Sequence, residues 1–182
     1  MAYLRVVPSA VRKAESDPCF EAFEAEVDYL LRTFRRLGAT PSEIDDLCQE
    51  VFLALRRSWA DYDPSRPLRP YLFGLAFRVA SWERRRRWRE IPQAFVDIDV
   101  NDESPDIALA DKQKRALLMA ALQHVPFARR AVLIMHDIDD VPMQDVAAAL
   151  SIPRFTAYSR LRKARRELTK AARRLMTEEI LG

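Results

Sequence analysis

Polar and basic side chains gather on one side of a predicted helix that follows Pro153. A 3.6-residue repeat places Ala157, Leu161, Ala164 and Leu168 on another side, where they would face a core. Arginine can make a bidentate contact with guanine, worth about 1–3 kcal/mol, and hydroxyl groups can bond to base edges. This mixture favours the reading of base edges in a DNA major groove. The side chains that would reach the groove are Arg154, Thr156, Tyr158, Ser159, Arg160 and Lys163.

A shorter helix is predicted directly before this basic helix. Met143, Val146, Ala147 and Leu150 recur at i, i+3, i+4 and i+7, so they form one apolar face. Pro153 suits the first turn of the next helix, where its missing N–H is not needed. Two helices joined by a tight turn, the second of them polar and basic, are what a helix-turn-helix needs to enter DNA. A solvated basic surface is the alternative that the charge pattern leaves open.

Arginine and aromatic residues alternate in another predicted helix, which runs from about 68 to about 89. Its aromatic residues are Tyr71, Phe73, Phe77, Trp82 and Trp88, and its arginines include Arg78 and Arg84 to Arg87. Melted DNA needs this mixture, because aromatic faces hold unstacked bases while arginines hold phosphates. Any one of these aromatics can instead belong to a core, but four successive arginines cannot all be buried. Trp59, Tyr62 and Asp63 precede this helix and could help to frame a base pocket.

The composition favours an all-α protein. The 182 residues are 49% hydrophobic, which is enough to build cores, and the length suits one ordinary domain or two small ones. Only 3 residues are glycine, strand-length alternation is scarce, and long segments follow a helical repeat. We therefore expect helices and no sheet.

The net charge of +3 hides a strong segregation of charge along the chain. Residues 66–89 contain 8 arginines and one acid, and residues 153–174 contain 9 basic residues and one acid. Between these blocks, residues 97–111 contain 6 acids and no base. Two basic blocks separated by an acidic one predict two sites of contact with an anion and a connector that DNA repels.

Capping signals and composition divide the chain into segments. Asp17-Pro18 would start a helix that Gly38 ends, and Thr40 to Glu43 would form a capping box for the next helix. Later helices are expected over about 111–124, 127–138, 142–150 and 154–176. The predicted segments are an N-terminal extension (1–16), a helical domain (17–90), a flexible acidic linker (91–110), a helix-turn-helix domain (111–176) and a C-terminal tail (177–182).

The titratable residues give little support to catalysis or metal binding. His124 and His136 are the only histidines, and neither a nucleophile–base arrangement nor a glycine-rich phosphate loop accompanies them. Cys19 and Cys48 fall within helical apolar patterns and lack metal-ligand spacing, so we predict buried free thiols. Neither a signal peptide nor a run of about 18 apolar residues is recognisable. We expect a cytoplasmic protein that is not an enzyme and uses no metal or cofactor.

Three segments of the chain resemble bacterial sigma factors of the extracytoplasmic-function (ECF) group, in the sigma-70 family. Glu43–Trp59 (EIDDLCQEVFLALRRSW) resembles a helix of region 2, and Arg69–Arg87 (RPYLFGLAFRVASWERRRR) resembles the helix that follows it. Val125–Leu168 (VPFARRAVLIMHDIDDVPMQDVAAALSIPRFTAYSRLRKARREL) resembles region 4. The resemblance covers roughly residues 18–172, and it implies a region 2 helical bundle followed by a region 4 helix-turn-helix.

The resemblance also implies a function, that of an alternative sigma factor which binds core RNA polymerase and directs it to a promoter. The N-terminal domain would recognise and melt the −10 element, and the C-terminal domain would read the −35 element. An inhibitory anti-sigma factor is implied as a further partner, and we expect the free protein to be a monomer. The opposite charges of the blocks suggest another form of inhibition, in which the basic helix folds against the acidic residues 97–111.

The resemblance and the residue patterns together assign residues to each contact. Polymerase binding is expected of Asp45, Asp46, Gln49, Glu50, Phe52, Leu53 and Arg56. Contact with the −10 element is expected of Trp59, Tyr62, Asp63, Arg78, Ser81, Trp82, Arg84, Arg85, Arg86 and Arg87. Contact with the −35 element is expected of Arg154, Phe155, Thr156, Tyr158, Ser159, Arg160, Arg162, Lys163, Arg165 and Arg166. Of these, Arg162, Arg165 and Arg166 are expected on phosphates, which position a protein without reading sequence.

Several positions depart from the residues that are usual in the family. Arg78 stands where many relatives carry asparagine, and Trp82 where aspartate is common. Ser151 replaces the usual turn glycine, which is tolerable if its φ stays negative. Phe155 and Tyr158 occupy positions more often held by a small and by a basic residue, and Phe155 can pack against a helix instead of touching DNA. Promoter preference should therefore not be copied from relatives.

A stand-alone helix-turn-helix regulator that acts without polymerase is the second interpretation of these features. Such a regulator would be a symmetric dimer that reads a palindrome, whereas a sigma factor would use two different domains on two elements. The acidic segment Asp45–Glu50 discriminates between the two, because a stand-alone regulator has no use for it.

Overall fold

The structure is a computed structural model that describes residues 17–90 and 109–181, with side chains over 17–86 and 113–178. Eight α-helices and no strand occur in these ranges, so the predicted all-α fold is confirmed. The chain divides into two compact units, one N-terminal and one C-terminal. The predicted N-terminal extension, residues 91–108 of the predicted linker and the suggested contact of residues 97–111 with the basic helix lie outside the described residues.

The first unit begins with two short helices where the periodicity predicts a single one. Helix α1 (Pro18–Glu24) is capped by Asp17, whose carboxylate accepts the N–H of Cys19 at 3.0 Å. Helix α2 (Val27–Leu37) starts after a tightened turn, in which the N–H of Glu26 donates to the carbonyl of Phe23 at 3.0 Å. Gly38 then ends α2 with a φ of 92°, as its position predicts.

The core of the first unit lies between α3 (Pro41–Ser58) and α4 (Leu68–Glu90). The N–H of Thr40 donates to the Glu43 carboxylate at 2.7 Å, which is one half of the predicted capping box. Helix α3 continues as a 3-10 turn over Trp59–Asp61 before the loop to α4. The buried residues that α3 and α4 contribute are Ile44, Leu47, Cys48, Val51, Phe52, Leu55, Leu72, Leu75 and Ala76. Because this stripe faces inward, the other side of α3 is presented to solvent.

The second unit packs three helices against one long helix. Helices α5 (Leu109–Gln123), α6 (Phe127–Leu133) and α7 (Met143–Ala149) all contact α8 (Arg154–Leu181). Ala157, Leu161 and Ala164 are buried along α8, as the periodicity predicts. Buried Arg130 donates to the backbone carbonyls of Val125 at 3.1 Å and Gln123 at 2.8 Å, which fixes the turn between α5 and α6. This packing holds the first turns of α8 with their polar side outward.

One predicted helix changes its type before its end, and another continues beyond its predicted end. The helix expected over 127–138 ends as a π turn over Ile134–Ile138, in which the N–H of Asp139 donates to the carbonyl of Ile134 at 2.9 Å. Helix α8 continues to Leu181, so its predicted end at 176 is wrong. Nothing breaks the helix there, and Arg174 and Glu178 form an ion pair at 2.8 Å, one turn apart.

Across the described helices, none combines the length and the apolar character that crossing a membrane requires.

Candidate polymerase and DNA interfaces

The solvent side of α3 carries most of the residues that were expected to bind polymerase. Asp45, Asp46, Gln49 and Glu50 are exposed, and Leu53 is 42% exposed within the same helix face. Arg56 follows on this face and is exposed as well. We call these six residues the α3 acidic face. An exposed leucine that follows a group of carboxylates along a helix can dock on a helix of another protein that presents apolar and basic side chains.

Phe52 does not lie on the exposed part of this face, although a polymerase contact was expected of it. Its side chain is 8% exposed, and its ring lies 5.0 Å from the ring of Phe23 and 6.1 Å from that of Phe20, measured between centroids. The second contact is edge-to-face, a favourable arrangement for aromatic rings. Phe52 therefore joins α1 to α3 and supports the face from beneath.

Three aromatic rings form a cluster between the end of α3 and the start of α4. The ring of Tyr62 stacks on Trp59 at 5.4 Å between centroids and lies 5.1 Å from Tyr71 on its other side. The Tyr71 hydroxyl donates to Ser58 Oγ at 2.7 Å, and the Tyr62 hydroxyl donates to the carbonyl of Arg66 at 2.6 Å. Burial raises the pKa of Tyr62, and the nearby Asp63 and Tyr71 raise it further. Trp59 and Tyr62, which were expected to help to frame a base pocket, stack on each other, and their contact with the −10 element stays a prediction.

Asp63 holds the turn of the loop that follows this cluster. Its carboxylate accepts the backbone N–H of Ser65 at 3.0 Å and the Ser65 hydroxyl at 2.7 Å. These hydrogen bonds lower the pKa of Asp63, and Arg66, with Nε 3.7 Å from the carboxylate, lowers it further. The sequence pattern did not point to Ser65, although Asp followed two residues later by Ser is a common turn signal.

The exposed side of α4 combines a tryptophan with arginines. Trp82 is 59% exposed, and the guanidinium carbon of Arg86 lies 5.4 Å from the centroid of its ring. Arg86 also pairs with Glu83 at 3.0 Å, and Arg85 donates to the carbonyl of Ser81 at 3.1 Å. These contacts extend the arginines along the helix, where they can hold phosphates on either side of the exposed ring.

The other α4 residues that were expected to contact DNA differ in their exposure to solvent. Arg78 and Arg84 are exposed, whereas the side chain of Arg87 lies outside the described side chains. Ser81 is half-buried, and its hydroxyl donates to the carbonyl of Phe77 at 2.6 Å, so its proton is committed within the helix. Phe73 is fully buried and therefore cannot hold a base.

The N-terminal part of α8 presents the residues that were expected to contact the −35 element. Ala157, Leu161 and Ala164 face the core of the second unit, so the remaining sides point to solvent. Arg154, Phe155, Tyr158, Arg162, Lys163 and Arg166 are exposed, and Thr156, Ser159 and Arg160 are half-buried. Phe155 is 76% exposed, and its contact with the −35 element stays a prediction. Lys170 and Arg173 extend the exposed basic side beyond the predicted set, at the same helical spacing.

Arg165 is engaged with a carboxylate of its own unit. Its Nε and Nη2 donate to the two oxygens of Asp137 at 2.8 and 2.7 Å. The bidentate contact lowers the pKa of Asp137 and raises that of Arg165. The phosphate contact predicted for Arg165 is therefore in competition with an internal ion pair, and Asp137 was missed by the sequence-based assignment.

The turn of the helix-turn-helix also differs from expectation. Ser151 has a φ of 52°, in the left-handed region that favours glycine, so the expectation of a negative φ is wrong. The N–H of Ile152 donates to the carbonyl of Ala147 at 3.0 Å across this turn. The conformation closes the C-terminal end of α7 and directs the chain into α8.

Two family models match the chain in this order. Residues 22–90 match the model of Sigma-70 region 2, and residues 109–168 match the model of Sigma-70, region 4. The RNA polymerase sigma-E factor of Streptomyces coelicolor is 30% identical over 139 residues, which are 75% of this chain and 76% of that protein. The chain belongs to the ECF group of the sigma-70 family. This family is not known as a family of enzymes.

Other relatives and solved structures agree with this assignment. The ECF RNA polymerase sigma factor SigE of Mycolicibacterium smegmatis is 26% identical over 81% of this chain, which spans 59% of the length of that relative. The sigma factor RpoE, solved in complex with the anti-sigma factor NepR from Bartonella quintana, has the same fold, with a TM-score of 0.69. It is 18% identical, and the match covers 87% of this chain and 98% of that one.

Within the described residues, no group of three or more His, Cys, Asp or Glu side chains could hold a metal ion.

Proposed function

We propose that this ECF sigma factor binds core RNA polymerase and directs promoter recognition, melting of the −10 element and transcription initiation. The observation that carries the proposal is the presence of three distinct exposed surfaces on helices that match region 2 and region 4. One surface is acidic and includes an exposed leucine, and the other two are basic with exposed aromatic rings. In this assignment, residues 17–90 form the region 2 domain, 91–110 the linker and 111–176 the region 4 domain.

The α3 acidic face would bind the polymerase. Its carboxylates would attract a basic helix of the partner. This attraction speeds association and fixes the register of docking. Leu53, 42% exposed, supplies apolar area that docking would bury between Glu50 and Arg56. This role is supported because the side chains of the α3 acidic face are exposed, whereas the apolar side chains on the opposite side of α3 are buried in the core.

The exposed side of α4 would contact the −10 element as it melts. Trp82 offers a ring face on which an unstacked base can rest, and such stacking contributes about 1–3 kcal/mol per base. Arg78, Arg84 and Arg85 are exposed along the same helix and would hold the phosphates. The Trp59, Tyr62 and Tyr71 cluster would act indirectly, by fixing the loop that leads into α4.

The first turns of α8 would enter the major groove of the −35 element. Recognition helices contact base edges with their N-terminal residues, and Arg154, Thr156, Ser159 and Arg160 lie there. Arg162 and Arg166 lie further along the exposed side and would hold phosphates.

We also propose that an anti-sigma factor inhibits the free protein, which would be a monomer in the cytoplasm beside its polymerase. Among solved structures of the same fold, RpoE is in complex with the anti-sigma factor NepR, and CnrH is in complex with the cytosolic domain of CnrY. In this chain, an inhibitor would have to cover the α3 acidic face or the exposed side of α8 to prevent initiation.

Binding to core polymerase tests the polymerase face. We expect the full chain to co-migrate with bacterial core RNA polymerase, and Glu50→Arg to weaken this binding by about tenfold or more, since it replaces an attraction by a repulsion. Glu24→Arg is the matched control, because Glu24 is also an exposed carboxylate of the first unit but lies on α1. Tight binding of DNA by a dimer that ignores core polymerase would instead establish the stand-alone regulator.

A further inference from the structure

Two large aromatic side chains are exposed at the start of α8. Phe155 is 76% exposed, more than any other large apolar side chain among the described residues, and Tyr158 is 53% exposed. They are the second and fifth residues of α8, one turn of the helix apart. Neither contributes to the core, since Ala157, Leu161 and Ala164 supply the buried side of this segment. Their exposure therefore needs a reason outside the folding of the chain.

The charge around the two rings indicates what would cover them. Arg154, Arg162 and Arg166 are exposed on the same segment of α8. The one acid between 153 and 174 is Glu167, which is half-buried and paired with Arg129 at 3.0 Å. A surface with exposed cations before and after the rings along α8 fits a polyanion, and the proposed function places duplex DNA against this end of α8.

The major groove offers an apolar side chain one distinctive partner. Guanine, cytosine and adenine present hydrogen-bond donors and acceptors there, whereas thymine also presents its 5-methyl group. Phe155 has no atom that donates or accepts a hydrogen bond, so it cannot read the other edges. The tyrosine at 158 can place its ring edge in the same way while its hydroxyl reaches a phosphate or water.

The spacing of the two rings sets the spacing of their partners. Three residues of an α-helix advance about 4.5 Å along its axis, compared with about 3.4 Å for each base pair of B-DNA. Since a recognition helix lies along or obliquely in the groove with its N-terminal residues on the bases, the two rings would meet base pairs that are one or two steps apart.

We infer that Phe155 and Tyr158 read the 5-methyl groups of two thymines, one or two base pairs apart, in the −35 element. This inference rests on the proposed function and adds the base and the atom that are recognised.

The experiment removes single methyl groups from the DNA. The holoenzyme formed by the full chain and core polymerase first selects its preferred duplex from a random library. Each thymine of the selected upstream element is then replaced singly by deoxyuridine, which lacks only the 5-methyl group, and the affinity is measured. We expect about fourfold weaker binding at each of two positions, because one buried methyl group contributes roughly 0.8 kcal/mol.

The same replacements are then tested with Phe155→Ala and Tyr158→Ala holoenzymes. Each variant should lose the deoxyuridine penalty at one of the two positions and keep it at the other. Arg162→Ala is the matched control, since it should weaken binding to all duplexes evenly while both penalties remain. Because both aromatic residues are exposed, the variants should melt at the wild-type temperature.

The outcomes separate the inference from the function on which it rests. A selected element without penalties, or penalties that survive in both aromatic variants, overturns the methyl contact while the sigma-factor function stands; the rings would then serve another partner, such as a protein. Failure to form a holoenzyme or to select any sequence overturns the proposed function and the inference with it.

Discussion

Replacing Asp137 with asparagine tests whether an internal carboxylate limits the contact of α8 with DNA. Asp137 accepts hydrogen bonds from Nε and Nη2 of Arg165 at 2.8 and 2.7 Å. The pair cancels the charge of Arg165 and occupies one edge of its guanidinium group. Asparagine keeps the size of the side chain and removes its charge, so Arg165 would be released to pair with a phosphate. We therefore expect Asp137→Asn to bind duplex DNA more tightly than the wild type.

The salt dependence gives the magnitude. Each phosphate that a protein neutralises contributes about −0.9 to the slope of log K against the logarithm of the salt concentration. One additional contact should thus steepen the slope by about 0.9, and the advantage of the variant should shrink about 3.5-fold between 50 and 200 mM salt. The side chain of Arg165 is 57% exposed, so loss of the pair should lower the free energy of unfolding by only about 0.2–1 kcal/mol.

This stability difference should depend on pH in a defined direction. Arg165 lowers the pKa of Asp137 in the folded state, so the pair stabilises the fold at every pH above the unfolded-state pKa of about 3.9. The stabilisation is lost as the pH falls through the lower pKa of the folded state. The difference in unfolding free energy between wild type and Asp137→Asn should be complete at neutral pH and vanish in strong acid.

Fluorescence anisotropy of a labelled duplex, titrated with the full chain at several salt concentrations, measures the slope. Asp140→Asn is the matched control, because it makes the same change of net charge three residues away at an exposed position. Its φ of 53° is one that asparagine adopts readily. Equal slopes for the two variants would show that Arg165 gains no phosphate contact and would refute the competition.

Three further substitutions and one labelling experiment test other parts of the structure. Ser151→Gly should raise the free energy of unfolding by up to about 1 kcal/mol, measured by denaturant titration, because glycine adopts a φ of 52° without strain. Phe52→Ala should lower the free energy of unfolding by about 3–5 kcal/mol, because the ring is buried. Leu53→Ala should change the free energy of unfolding by no more than about 0.5 kcal/mol, because the side chain is partly exposed. The same variant should bind core polymerase about tenfold more weakly. Burial raises the pKa of Cys48 to about 12, so a disulfide reagent at pH 8 should label it only at the rate at which the protein opens.

The following results would contradict these predictions. Ser151→Ala controls for loss of the hydroxyl, and equal stability of the alanine and glycine variants would remove the role of the positive φ. A Phe52→Ala protein that is fully stable but fails to bind polymerase would restore Phe52 to the interface. Rapid labelling of Cys48 in the native protein would show that its side chain is accessible.

The helices and their buried stripes were predictable because they follow local rules. A 3.6-residue repeat identified the core sides of α3 and α8, and glycine or proline marked boundaries such as Gly38 and Pro41. The break between α1 and α2 was not predictable in this way. It involves Ala25 in a helical conformation (φ −61°, ψ −23°), so no residue type signals the tightened turn.

The candidate site was less predictable, because neighbours that are distant in the sequence decide which side chains are free. Phe52 and Leu53 are adjacent on α3, yet the first is buried since Phe20 and Phe23 of α1 reach it. The pairing of Arg165 with Asp137 joins residues 28 positions apart and requires the π turn after α6, which no composition signal marks. The helical repeat predicts which side of a helix is exposed. Which residues at the border of that side are buried or paired depends on the packing of the other helices.

Promoter-dependent run-off transcription tests the central claim most directly. Bacterial core RNA polymerase is mixed with the full chain, and transcripts from a genomic DNA library are mapped for the wild type, for Asp46→Arg/Glu50→Arg and for the Glu24→Arg control. We expect the wild type and the control to initiate at the same discrete sites and the double variant to initiate at none. Initiation by the double variant at wild-type levels, or no discrete initiation by the wild type in the absence of any inhibitor, would contradict the assignment of the α3 acidic face or of the sigma-factor function itself.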